Sequence, residues 1–273
     1  MNPPLVKISV VTISYNQGAF LEQALRSVLD QDYPNLEYIV VDPGSSDGSR
    51  AVIERYRSRL SRIILEPDQG PADGLNRGLA AATGDVFCYV NADDRLLPGA
   101  LDRVAAAFTR RPDADVIYGH GIIEDRRSGA AYRVRSTVFG RYRMAYGGFF
   151  VLQQASFFRT EAVRAVGGFN AANRTCWDAE LLADLLLAGR CLRRINDYLG
   201  VFTLHGDSLT GADPQTKDAY RADQLRLFAK LMKRAARPND RFGRRLAWLA
   251  RWLGDPAGLI VRLRQITNPH QTL

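Results

Sequence analysis

The sequence predicts an α/β protein: a mostly parallel sheet flanked by helices, followed by a helical, basic C-terminal segment. Three observations carry this. Strand-like and helix-like segments alternate along the first 123 residues, the pattern of βαβ units with helices on both sheet faces. That rhythm breaks after about residue 123, where a segment rich in Arg, Gly and aromatics begins. From residue 214 onward the pattern is helical, interrupted at Arg237-Pro238-Asn239 and Gly254-Asp255-Pro256.

Residues 6–14 (VKISVVTIS) are a β-branched run of strand length. Residues 18–30 place Phe20, Leu21, Ala24, Leu25, Val28 and Leu29 at helical spacing. A second strand is expected over 36–42 (LEYIVVD), a helix over 49–60, and a short third strand over 62–66. Pro71 opens a helix over 71–82, because proline suits the first helical turn. A fourth strand follows over 85–91 (DVFCYVN), then a helix over 98–109 and a strand over 115–123. Residues 124–160 read as short strands, turns and open surface. Residues 180–188 (ELLADLLLA) form a helix and 191–204 are extended. The expected organisation is one unit over 1–212, whose rhythm changes at 123/124, with a tail over 213–273.

The 273 residues suffice for a large core, and 46% hydrophobic with 24% charged residues is ordinary globular usage. No apolar run reaches membrane-spanning length. The N-terminus, MNPPLVKISVVTISYN, reads as the lead-in to a strand and not as an export signal. Three cysteines, Cys88, Cys176 and Cys191, form no CxxC pair, which points to a reducing compartment, here the cytoplasm. The net charge of +8 is uneven: residues 230–273 hold ten Lys/Arg and two Asp, and residues 1–229 hold twenty-seven of each sign. The neutral body gives no reason to expect a nucleic acid partner.

Ligands of open α/β sheets bind beyond the carboxyl ends of the strands. There the sequence places Thr12, Ser14, Tyr15 and Asn16; then Asp42 and the turn Pro43-Gly44-Ser45-Ser46-Asp47-Gly48; then Glu66 and Asp68; then Asn91, Ala92, Asp93 and Asp94. One Asp after a strand is usually a helix cap. Acids at successive strand ends repel one another unless a cation such as Mg²⁺ or Mn²⁺ joins them. No GxGxxG, GxxxxGK[ST], G-x-S-x-G or HExxH occurs, which removes the dinucleotide fingerprint, the P-loop, the hydrolase elbow and a zincin site.

Several blocks resemble the inverting glycosyltransferases of family 2, which have the GT-A fold. SVVTISYNQGAFLEQALRSVLDQDYPNLEYIVVDPGSSDGS is similar to the family's nucleotide half, and EPDQGPADGLNRGLAAATGDVFCYVNADDRLLPGAL to its middle block. QQASFFRTEAVRAVGGFN and CWDAELLADLLLAGR are similar to its acceptor-side block, and VFTLHGDSLTG to its histidine loop. The resemblance implies a transferase that moves a sugar from a nucleotide-diphosphate donor to a glycan or lipid-linked acceptor. It implies that Thr12, Tyr15 and Asp42 line the base and ribose, and that Asp73, Asn76, Arg77 and Ala92 meet the nucleotide-sugar. It implies a divalent metal, Mn²⁺ or Mg²⁺, at Asp93 with Asn91 and His205, and Asp178 as general base. Asn91 stands where the motif usually has a carboxylate, Pro43 where the turn usually has Gly, and Asp184 where a large residue such as Arg is common. Asn91 motivates an alternative, a degenerate homologue that binds nucleotide-sugar or glycan without turnover. A sugar-phosphate nucleotidyltransferase would need a Gly-rich, Arg/Lys-bearing loop where this chain has SYNQGAF.

Other readings stand beside these. Asp178 could cap the helix over 180–188, and His205 could be a satisfied structural residue. Trp177 could be core or acceptor wall; Phe149, Phe150, Phe157 and Phe158 read as core. Residues 126–143 read as a solvated face, with an anionic acceptor as the second reading. In the tail, Phe242, Leu246, Leu249, Trp252 and Leu253 fall on one helical stripe, with Arg241, Arg244, Arg245 and Arg251 on the other side and Trp248 beside them. That pattern suits an anionic membrane surface through 241–266 at the inner face of the cell membrane. The stripe could equally pack on the body or on a second subunit in a homo-oligomer.

Overall fold

The computed structural model describes residues 5–206 and 214–253. The elements run β1 (Ile8–Ile13), α1 (Gly18–Leu29), β2 (Leu36–Val41), α2 (Ser49–Tyr56), β3 (Arg62–Ile64), α3 (Pro71–Ala81), β4 (Val86–Asn91), β5 (Arg95–Leu96), α4 (Ala100–Arg110), β6 (Val116–Asp125), β7 (Ala130–Val134), α5 (Arg141–Ala145), β8 (Ser156–Arg159), α6 (Thr160–Ala165), α7 (Trp177–Leu187), β9 (Leu192–Leu204), α8 (Pro214–Met232) and α9 (Asp240–Leu253). Expected elements are found through α4 with ends shifted by one or two residues, and the two-residue β5 is added before α4. The exception is the helix expected over 49–60, which tightens into a 3₁₀ turn at Arg57–Arg59.

One sheet runs β3-β2-β1-β4-β8-β6-β9-β5, with β7 paired to β6. The first four strands are parallel. Strand β8 enters antiparallel between β4 and β6, and β9 returns parallel to β6. Alternate residues of each central strand go to opposite cores. Ile8, Val10, Tyr38, Val40, Val86, Cys88 and Val90 face α1, α2 and α4. Val11, Ile39, Val41, Phe87 and Tyr89 face α3, α6 and α7. This double burial is why the strands read as unbroken apolar runs. Gly78 of α3 lies so close to β1 that a Cβ there would sit 2.5 Å from a Val11 methyl.

The tail boundary at 213 is not a break in packing. Helix α8 buries Leu227, Phe228 and Leu231, and Leu227 and Leu231 belong to the second core with Met144 and Leu181. Phe157 and Phe158 are buried, Phe149 and Phe150 half-buried against the cores, and Trp177 is in the second core. Cys88, Cys176 and Cys191 are free thiols. Helix α9 meets the body through its small residues: a Cβ on Gly243 would strike the Tyr146 ring at 2.6 Å, and one on Gly148 would strike the Ala247 carbonyl at 2.8 Å. Phe242, Leu246 and Leu249 point elsewhere and are 67%, 51% and 48% exposed. The expected membrane segment lies outside the described residues from 254 on. No described helix is long and apolar enough to cross a membrane.

Candidate active site

The parallel half ends in a rim of loops fixed by their own acids. Asp42, fully buried at the end of β2, accepts through Oδ1 from the N–H groups of Gly44 (3.1 Å) and Ser45 (2.8 Å) and from Arg50 Nε (3.3 Å). Its Oδ2 is buried without a hydrogen-bond partner. That orphaned acceptor suits an imide N–H or a ribose hydroxyl. Pro43 leaves this turn intact, because the Asp42 carboxylate still organises it. Across the rim, Asn16 Oδ1 accepts from Ser46 N–H at 2.9 Å, and Ser45 Oγ accepts from Asn16 N–H at 2.8 Å. Tyr15 stands beside this seam, 62% exposed.

On α3, Asp73 accepts from Gln69 N–H (3.0 Å) and from Arg77 Nε one turn later (3.3 Å). Asp68 lies within the field of both, and of Asp42. Burial pushes its carboxyl up, Asp73 and Asp42 push the same way, and the Gly70 N–H and Arg77 oppose. Asp42, Asp68, Asp73 and Arg77 therefore share one electrostatic neighbourhood.

Three residues expected to meet the donor are engaged within the protein. Strand alternation sends Thr12 to the Val10 side, where it is fully buried with its Oγ1 2.8 Å from Tyr38 Oη. Asn76 has both amide ends on the Phe169 backbone: Nδ2 donates to the carbonyl at 2.7 Å and Oδ1 accepts from the N–H at 2.8 Å. It latches α3 to the loop after α6. Ala92 is fully buried and its N–H donates to the Ile13 carbonyl at 3.2 Å.

Beyond β4, Asp93 Oδ2 lies 3.0 Å from His205 Nε2. The His205 ring stacks on Phe20 of α1 at 4.3 Å, and the Arg126 guanidinium covers the same Phe20 ring at 4.6 Å. The Arg-rich segment thus reaches the site's edge at its first member. Asp94 holds the loop from beneath. It is buried, its Oδ1 accepts from Thr203 N–H (3.0 Å), and its Oδ2 accepts from Asn91 Nδ2 (3.2 Å) and Gln154 Nε2. Burial, then the Asp93 charge, push the Asp94 carboxyl well above the usual range, opposed by those donors. Turning Asn91 Nδ2 toward Asp94 leaves Asn91 Oδ1 without a partner.

Among the described residues no three His, Cys, Asp or Glu side chains form a metal cage. Asp93, His205 and the orphaned Asn91 Oδ1 instead offer an incomplete set, one carboxylate oxygen, one imidazole nitrogen and one amide oxygen. Such a set fits Mg²⁺ or Mn²⁺ when substrate phosphates complete the shell.

Asp178 is the second residue of α7, and Cys176 occupies the capping position, so Asp178 does not cap that helix. It is half-buried, and among the described residues no side chain hydrogen-bonds to it. Burial raises its carboxyl above the ordinary value, against the N–H groups of Ala179 and Asp178 itself. Burial raises the Tyr89 hydroxyl, with the charges of Asp178 and then Asp94 adding to it, and Tyr89 shares the second core with Trp177 at the start of α7. Glu180, two residues on, is a structural hub that the sequence did not reveal. It accepts from Lys230 (2.8 Å), Arg226 (3.0 Å), Asn170 (3.0 Å) and Asn173 (2.7 Å). Burial alone would raise it, but these partners, Lys230 first, bring it to about 2. Asp184 accepts from Lys230 as well, so it faces α8.

Comparison with known proteins gives the fold and the family. A GalNAc(5)-diNAcBac-PP-undecaprenol beta-1,3-glucosyltransferase of Campylobacter jejuni is 37% identical over 99 residues, 35% of this chain and 32% of that protein. The fold matches S. aureus TarS 1-349 in complex with UDP-GlcNAc at a TM-score of 0.64 and 21% identity, over 91% of this chain and 73% of that one. It also matches the mannosyltransferase PcManGT from Pyrobaculum calidifontis in complex with GDP-Man and Mn²⁺, at 0.59 and 19% identity, over 98% and 76%. The architecture is accordingly GT-A. The chain spans 38% of one curated relative's length and 62% of two others. The sequence profile described as Glycosyl transferase family 2 matches residues 9–167, more than half of the sequence, and the chain belongs to that family.

Proposed function

We propose that this protein is an inverting glycosyltransferase that moves a sugar from a nucleoside-diphosphate donor to a hydroxyl of a glycan or lipid-linked acceptor. The observation that carries this is two carboxylates in different states, one beyond β4 and one at the start of α7. Asp93 is committed to His205, and Asp178 is half-buried with no side-chain partner among the described residues. Residues 1–123 form the donor half and 124–212 the acceptor half. Asp42 Oδ2 accepts from the base or ribose, Tyr15 covers it, and Asp73 with Arg77 frames the sugar-diphosphate.

The reaction is a single displacement. The acceptor oxygen bonds to the anomeric carbon, the bond from that carbon to the diphosphate oxygen breaks, and the acceptor proton passes to Asp178. A raised carboxyl pKa strengthens that base. One displacement inverts the anomeric centre. Asp93, His205 and Asn91 would hold Mn²⁺ or Mg²⁺, which neutralises the diphosphate as it leaves. Asp94 fixes the Asn91–Asp93 loop through Thr203 and Gln154. The Mn²⁺ bound by the Pyrobaculum protein and the lipid-diphosphate acceptor named for the Campylobacter protein support these assignments. A nucleotide-sugar donor and a lipid-linked acceptor support a reaction in the cytoplasm, at the inner membrane face.

The amide at Asn91 favours one other reading, a binding subunit without turnover. The protein is incubated with a panel of UDP-, GDP- and dTDP-sugars, with Mn²⁺ or EDTA, and nucleoside diphosphate release is measured. Release from one donor class, stimulated by Mn²⁺, is expected. Nucleotide binding without release, even with lipid-linked and polysaccharide acceptors supplied, would establish the binding subunit.

A further inference from the structure

We infer that the exposed stripe of α9 is a docking surface for an anionic phospholipid bilayer. Phe242, Leu246 and Leu249 recur at i, i+4 and i+7 and form one apolar line along the helix. The structure removes one occupant of that line, the body itself. Gly243 and Ala247, about a quarter-turn away, make the close approach to Tyr146 and Gly148. Residues that small let the helix lie flat on the body while the large apolar side chains stay outside. Leaving a Phe and two Leu in water on one line is costly unless something covers them.

Charge decides between the remaining occupants. Arg244 and Arg245 are exposed, and the segment over 230–273 carries the chain's whole excess of +8. A second copy of α9 would bring the same positive charge against itself. Three partly exposed side chains also fall well short of the ~800 Å² per partner of a stable protein interface. An anionic headgroup layer has the complementary sign, and its depth accepts Phe and Leu on one side of a helix with Arg along the flank. The geometry therefore lays α9 in the membrane plane without spanning it. This inference does not depend on the catalytic proposal, because vesicle capture and donor turnover are read separately.

Full-length protein is sedimented with phosphatidylcholine vesicles and with vesicles containing about 30% phosphatidylglycerol. Capture by the anionic vesicles, and release at high salt, is expected. Phe242→Ser/Leu246→Ser/Leu249→Ser should reduce partitioning at least tenfold. Arg244→Gln/Arg245→Gln should reduce it about fivefold per charge lying near the surface. Circular dichroism and melting temperature should stay at wild type, since these side chains are exposed. Three results would overturn the inference: no capture, equal capture by both vesicle types, or a folded triple variant that still pellets like wild type. A dimer in light scattering that Leu246→Asp converts to monomer would reassign the stripe to self-association.

Discussion

Replacing Glu180 by glutamine tests whether α8 belongs to the catalytic body. The carboxylate is 2% exposed and holds Lys230 and Arg226, whose side chains are 33% and 38% exposed. Its pKa falls from 4.5 to about 2 on folding, which corresponds to about 3 kcal/mol at neutral pH. Solvent screening of the half-exposed cations lowers the expected loss to about 2–3 kcal/mol. For a domain of this size that is a drop of about 4–10 °C in melting temperature. The sign follows from the depressed pKa. The stabilisation is complete above the unfolded value near 4.5 and disappears as pH falls toward about 2. The gap between wild type and Glu180→Gln should thus be largest at pH 7 and shrink to less than half by about pH 3. Fluorimetric melting at both pH values measures it. Equal melting at pH 7, or a gap unchanged at pH 3, would refute the clamp.

Three further outcomes are expected. Asp178→Asn should keep donor binding by calorimetry while transfer falls by ~10²–10⁴; in the wild type the acidic limb of kcat/KM should lie above the ordinary carboxylate value, because Asp178 must be ionised to accept the proton. EDTA should suppress turnover and Mn²⁺ restore it, and Asp93→Ala should remove that restoration in a protein that still melts cooperatively. Gly78→Ala should destabilise by about 1–3 kcal/mol in urea titration, because its methyl would sit 2.5 Å from Val11; a neutral result would mean α3 slides freely on β1.

Segments with a self-contained pattern were legible in the sequence. Strands β1, β2 and β4 are apolar on both faces, and α1 repeats its apolar residues over three turns, so each announces itself locally. Strand β5 has two residues and β8 four, too short for a period, and both exist only because β9, β4 and β6 offer partners. The site divides the same way. Asp42 and Asp93 follow strands whose ends could be located, and the structure puts them on the rim. Thr12 sits at a strand end too, but its side is set by alternation, and Asn76 has the right helix but a partner 93 residues away. Asp94 and Glu180 were missed as organisers because their partners lie 60, 109, 46 and 50 residues distant. No local spacing encodes such a meeting.

The distance from Glu180 to Lys230 also orders events during synthesis. The helix that carries the proposed base is made 50 residues before the cation that neutralises its buried neighbour. At ~5–20 residues per second, that leaves a nascent chain about 3–10 s in which Glu180 has no α8 against it. Over that interval Glu180 lacks both cations and keeps Asn170 and Asn173, so its burial on α7 is less well compensated. Strands β1–β4 and their helices are made before either residue, and the proposed base on α7 is the part of the site fixed last. Synthesis of α8 is in this sense the step that completes the support of the proposed base.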